Sequence, residues 1–128
     1  MKIVKIHSKN LFPKTTPYAR VLVYPYPTDI YYVENSSSIY LPSVIADFYL
    51  NEFGYGEFQV IPNSKIRPHP NFYIVRMMYY AKYYYFVIYV REDHPDLVDI
   101  RDVIVATIPT RARDCPNNDC IDLSNIYV

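Results

Sequence analysis

From Asn71 to Glu92 the chain reads NFYIVRMMYYAKYYYFVIYVRE, two runs of aromatic and β-branched residues joined at Ala81-Lys82. Such residues fit a pleated, half-buried surface, so the stretch predicts a long β-hairpin. With an even-numbered loop, Tyr79 faces Tyr84, Met77 faces Phe86, Val75 faces Ile88 and Tyr73 faces Val90. Side chains alternate along a strand, so these residues share one face, and none of them is charged. The opposite face pairs Tyr80 with Tyr83, Met78 with Tyr85, Arg76 with Val87, Ile74 with Tyr89 and Phe72 with Arg91. One face is purely apolar and the other is built from tyrosine and arginine. An odd-numbered loop would move one strand's side chains to the other side.

The remaining elements are arranged around this hairpin. Lys2–His7, Arg20–Tyr24, Ile30–Val33, Glu57–Ile61 and Val103–Ile108 each read as a short strand. Pro25 and Pro27 are expected to stop the second, Glu34–Ser38 is a polar loop, and Pro109 closes the last. Pro42–Phe53 (PSVIADFYLNEF) reads as the principal helix. Pro42 suits a first helical turn, Gly54 suits the position past the end, and Leu41, Val44, Ile45 and Phe48 recur at helical spacing. Tyr49, Leu50 and Phe53 widen the apolar arc, which calls for burial against a sheet. A further short helical turn is expected after Asp93, running through Arg101. The expected fold is therefore α+β: one domain, residues 1–128, with a mixed, mainly antiparallel sheet of about five to seven strands and helix 42–53 packed on it.

A chain of 128 residues can bury one core without staples. Thirteen basic and thirteen acidic residues cancel, so no global field announces a nucleic acid, a membrane or an acidic substrate. Locally the balance is uneven. Lys2, Lys5, Lys9, Lys14 and Arg20 all precede the first acid, Asp29, whereas Glu92, Asp93, Asp96, Asp99 and Asp102 cluster later. No apolar run reaches the roughly 18–20 residues of a membrane span, and MKIVKIHSKN lacks the apolar core of a signal peptide. The expectation is a cytoplasmic protein, or one of the host cytoplasm if viral, with no membrane partner. With sixteen Tyr, eleven Pro, two Gly and a single Gln at position 59, the chain resembles in composition the small orphan proteins of viruses of hyperthermophilic archaea. That resemblance is diffuse and carries no active-site residue to any position.

Several clusters invite a chemical role. Cys115 and Cys120 bracket the turn-forming PNND and are a disulfide candidate. Alone they supply too few ligands for zinc. Glu92, Asp93, Asp96 and Asp99 with His94 are the residues a small metal-dependent nuclease would use. The following strand, VIVATI, lacks the acid and lysine that such an enzyme wants there, so helix capping and a solvated face account for the same acids. His7, His69 and His94 show no ligand spacing. Tyr80 and Tyr84 have the spacing of some nicking nucleophiles, without the helix or histidine pair that accompanies them. Gly54 and Gly56 alone exclude a phosphate-cradling loop. No catalytic residue, metal site or cofactor is therefore expected.

The candidate binding residues are those of the hairpin's second face: Phe72, Arg76, Tyr80, Tyr83, Tyr85, Tyr89 and Arg91. Tyrosine and arginine are enriched at protein–protein hot spots, and aromatic rings with arginine also stack and neutralise single-stranded nucleic acid. The same face could equally form a second internal layer. The expectation is a non-enzymatic interaction module, self-associating as a homodimer with Tyr85 and Tyr89 in the interface. A single-strand nucleic-acid binder using the Tyr/Arg face is one alternative, and the nuclease is another.

Overall fold

The structure, a computed structural model, describes residues 1–12, 15–80 and 82–111. The hairpin at its centre comprises β7 (Phe72–Tyr79) and β8 (Lys82–Ile88). Its register places Met77 opposite Tyr84, Val75 opposite Phe86 and Tyr73 opposite Ile88. The turn falls one residue earlier than Ala81-Lys82, so partners slide by two positions. A slide of two keeps every side chain on its expected face.

The other strands are β1 (Lys2–His7), β2 (Arg20–Tyr26), β3 (Tyr31–Glu34), β4 (Ser37–Tyr40), β5 (Ala46–Tyr49), β6 (Tyr55–Val60), β9 (Leu97–Asp99) and β10 (Ile104–Arg111). They form a five-stranded sheet in the order β10-β8-β7-β2-β5, a three-stranded sheet β6-β1-β9 and the two-stranded hairpin β3-β4. All pairings are antiparallel except that of β1 with β9. One core cluster joins the two larger sheets. Val21, Val23, Val75, Met77, Phe86 and Ile88 meet Val4, Ile6, Phe58, Val60, Val98 and Ile100. The hairpin's apolar face is thus the inner face of the five-stranded sheet.

The expected α+β fold with a principal helix is overturned. Strands account for 52% of the described residues, which contain no helix of seven or more residues. Within 42–53 lies β5, whose Ala46–Tyr49 pair with Val23–Arg20. Alternation, rather than helical spacing, organises ADFY: Ala46 and Phe48 are half-buried, while Asp47 and Tyr49 are exposed. Arg20 Nε and Nη2 donate to the two Asp47 carboxylate oxygens at 2.9 and 2.7 Å. The open edge of β2 therefore captures a segment whose apolar residues fit either period. The short helical turn after Asp93 is also displaced: Ile100–Asp102 form one 3₁₀ turn, and its cap is Asp99, which accepts from the Arg101 amide.

Two prolines stand inside strands rather than ending them. Pro25 lies opposite Tyr73, where β5 has already ended, so its missing N–H faces no neighbour. Pro109 lies on the edge strand β10 opposite Tyr84. The polar loop expected at Glu34–Ser38 is the turn of a hairpin: Asn35 and Ser36 both take positive φ (51° and 66°), as a two-residue connection of matching twist demands.

Buried polar groups tie the hairpin's base to the loop before it. Asn63 Nδ2 donates to Asn71 Oδ1 (2.9 Å), and Asn63 Oδ1 accepts from the Val90 amide (2.8 Å). Asn71 Nδ2 donates in turn to the Ile66 carbonyl (2.9 Å). Both asparagines are fully buried, and this network satisfies them.

Candidate interaction surface

The seven residues of the expected binding face divide into three groups. Phe72 and Tyr85 are only 2% exposed and form a small cluster with fully buried Ile74 and Val87. Arg76, Tyr83 and Tyr89 are half-buried around it. Only Tyr80 and Arg91 are exposed, and they lie at opposite ends of the hairpin. Arg91 Nε is held by Asp93 Oδ1 at 3.1 Å. The face is therefore no flat, open platform of the kind that stacks successive bases.

At its centre two polar atoms are sealed from water. Tyr24 Oη and Arg76 Nε are buried and meet no hydrogen-bond partner among the described residues. The Arg76 guanidinium carbon lies 5.5 Å from the centroid of the Tyr83 ring, close enough for a cation–π contact. Burial pushes the Tyr24 phenol well above its ordinary pKa.

The acidic cluster does not converge. Parallel pairing of β1 with β9 lays the basic start of the chain beside it: Lys5 is opposite Asp99, and Lys2 Nζ reaches Asp96 Oδ1 at 3.1 Å. Burial pushes the Asp99 carboxyl up, but the Arg101 amide and side chain, with the Lys5 charge, more than offset it and hold the pKa below the usual range. His94 Nδ1 accepts from the Arg91 amide at 2.9 Å. Among the described residues no three His, Cys, Asp or Glu side chains are grouped as a metal ion requires. Cys115 and Cys120 lie outside the described residues.

A surface that the sequence did not reveal stands at the end of the five-stranded sheet nearest the β7–β8 turn. Arg20 pairs with Met78 on one side and Tyr49 on the other, and the Tyr18 amide donates to the Asn51 carbonyl at 3.3 Å. This brings Tyr18, Tyr49, Phe53 and Tyr80 to the same end of the sheet, with exposures of 63%, 66%, 68% and 90%. Tyr49 sits on β5, which has no further strand beside it among the described residues.

Phe53 rides a braced turn. Asn51 Oδ1 accepts from the Phe53 and Tyr55 amides (2.9 and 3.0 Å), and the Gly54 carbonyl accepts from the Ser8 amide (2.8 Å). Gly54 has φ +73°, and a Cβ there would lie 2.1 Å from Ser8 Oγ, so only glycine fits. The one signal available from sequence was strand alternation in ADFY, which turns Tyr49 outward.

An open cleft of about 720 Å³ lies between the β3–β4 hairpin and the rim formed by β5 and β6. Ile39, Leu41, Ile45, Phe48, Phe58 and Tyr73 line it. Its carboxylates are Asp47, already paired with Arg20, and Glu57, which accepts from the Tyr55 hydroxyl at 2.9 Å. No helix among the described residues is long and apolar enough to cross a membrane. In comparison with known proteins, no family model, no curated protein and no solved structure matches the chain.

Proposed function

We propose that this protein is a non-enzymatic interaction module that associates with a second copy of itself through the aromatic end of its five-stranded sheet. One observation carries the proposal: Tyr18, Tyr49, Phe53 and Tyr80 stand exposed at one end of the sheet, where β5 has no further strand beside it among the described residues. Large aromatic side chains can each bury about 150–250 Å². Four at these exposures offer roughly 400–700 Å², close to the ~800 Å² per partner of a standard interface. The braced Asn51–Tyr55 turn lowers the entropy lost on docking, because Phe53 is already held on an ordered backbone. A two-fold contact brings the same aromatic patch from both copies together.

Tyr85 offers a second copy almost no area, being buried within one chain. The interface is therefore assigned to the sheet's end rather than to Tyr85 and Tyr89. The test is molecular mass in solution by light scattering. Wild type is expected to run as a dimer at micromolar concentration, and Tyr49→Asp with Phe53→Asp as a folded monomer. A wild-type monomer at those concentrations removes the proposal. Mass that depends on added oligonucleotide and falls with salt would favour nucleic-acid binding instead.

A further inference from the structure

Among the described residues positive φ occurs at Tyr18, Asp29, Asn35, Ser36, Gly54 and Tyr80, with values of 62°, 64°, 51°, 66°, 73° and 57°. For a residue with a side chain, this left-handed region crowds Cβ against the following carbonyl oxygen. That costs roughly a five- to thirtyfold factor in the folding equilibrium. Glycine escapes the contact, and the short side chains of Asn and Asp offset it with local hydrogen bonds. Asp29, Asn35 and Gly54 are therefore ordinary occupants, and Ser36 is a small residue completing the β3–β4 turn. Tyr18 and Tyr80 are not.

Both tyrosines stand where a smaller residue would serve the fold better. Tyr79 pairs with Lys82, so Tyr80 is the first residue of a two-residue hairpin connection. The favoured connections need positive φ at that position and select Asn, Asp or Gly for it. Tyr18 lies just before β2, and its amide donates to the Asn51 carbonyl at 3.3 Å, a bond that glycine would keep. Neither ring compensates by packing within its own chain. The Tyr80 ring centroid lies 4.6 Å from that of Tyr79, yet Tyr80 stays 90% exposed, and Tyr18 is 63% exposed.

Strain at a residue that does little for its own fold points to a functional constraint. The two strained tyrosines are also two of the four rings of the aromatic patch, beside Tyr49 and Phe53. A backbone held by the hairpin connection or by the Asn51 contact fixes where each ring leaves the chain, which reduces the ordering lost on docking. We propose, resting on the two-copy reading above, that Tyr18 and Tyr80 are the residues by which one copy recognises the other, kept at left-handed positions at the expense of the single chain's stability.

Glycine substitution tests this, because it removes the ring and the strain together. Tyr18→Gly and Tyr80→Gly should each weaken the dimer at least about tenfold in a dilution series followed by light scattering. Their denaturant midpoints, extrapolated to infinite dilution so that association does not contribute, should stay level with wild type or rise. Tyr18→Phe and Tyr80→Phe keep both ring and strain, and should hold the dissociation constant within about threefold of wild type. Ser36→Gly relieves a left-handed position outside the patch, and should leave association unchanged. A glycine variant whose extrapolated midpoint falls overturns the proposal, since the ring would then serve its own fold. An unchanged dissociation constant in both glycine variants overturns it as well, and leaves the two-copy contact standing on Tyr49 and Phe53. A wild-type monomer overturns the two-copy reading itself and is seen without any variant, so the two failures are distinct.

Discussion

The inner face of the five-stranded sheet is built from Val21, Val23, Val75, Met77, Phe86 and Ile88, whereas the outer face adds Arg20, Asp47 and Arg76 to its tyrosines, and the two differ in how their polar atoms are treated. On the inner face the Tyr73 hydroxyl donates to the Ile61 carbonyl at 2.6 Å, within a core closed by the three-stranded sheet. On the outer face the Tyr24 hydroxyl and Arg76 Nε are buried without partners among the described residues. Of the three buried side-chain atoms lacking a hydrogen bond among the described residues, these are two; the third, Thr16 Oγ1, lies in the loop before β2. Burial alone therefore does not identify a finished interior. Polar satisfaction does, because an unmet buried donor costs about 1–3 kcal/mol and a folded chain rarely leaves two side by side.

The comparison is broken most forcefully at Phe86. Its side chain lies on the inner face, packed against Phe12 and across from Val75. Phe86→Ala should cost about 3–5 kcal/mol, the range for truncating a buried phenylalanine. A denaturant midpoint equal to that of wild type would show that the inner face is not the core. Val87→Ala, on the neighbouring position but the outer face, should cost less, because it removes two methyl groups rather than a ring.

The hairpin and the division of its faces were legible because alternation is local and the loop is even-numbered. Partner identity was less so: nothing in YYAKYY fixes the turn, and a shift of one residue moves every pair by two. The principal helix was misread because Leu41, Val44, Ile45 and Phe48 satisfy a helical period. What decides against it, the free edge of β2 and Arg20 awaiting Asp47, is distant in sequence. The strand Ser37–Tyr40 was hidden by its serines. The aromatic end of the sheet is assembled from Tyr18, Tyr49, Phe53 and Tyr80, four positions that share no motif and meet only through the register.

Alkaline titration sharpens the comparison at intermediate scale. Burial raises the pKa of both Tyr73 and Tyr24 above the ordinary value of 10.0, and for Tyr73 the Ile61 contact only partly opposes it. Each folded-state pKa lies above its unfolded value, so the unfolded chain loses these protons first. Their contribution is complete below about pH 10 and declines as pH rises toward the folded pKa. For fully buried Tyr73 the limiting slope is about 1.4 kcal/mol per pH unit. Stability measured from pH 8 to 11.5 should be level and then fall above pH 10, with Tyr73→Phe showing a shallower decline. A curve that rises above pH 10 would contradict the burial of both phenols.

The finest test sets two hydroxyl deletions side by side. Tyr73→Phe removes a hydrogen bond to a backbone carbonyl and leaves that carbonyl bare, so it should cost about 0.5–1.5 kcal/mol by the usual balance for a neutral pair. Tyr24→Phe has no such loss among the described residues: if the hydroxyl is truly bare, removing it relieves a desolvation penalty and the variant is neutral or slightly more stable. We therefore expect Tyr73→Phe to lower the denaturant midpoint and Tyr24→Phe to leave it level or slightly raised. A Tyr24→Phe protein clearly less stable than wild type would mean that the hydroxyl has an acceptor, and that the outer face is as well satisfied as the inner one.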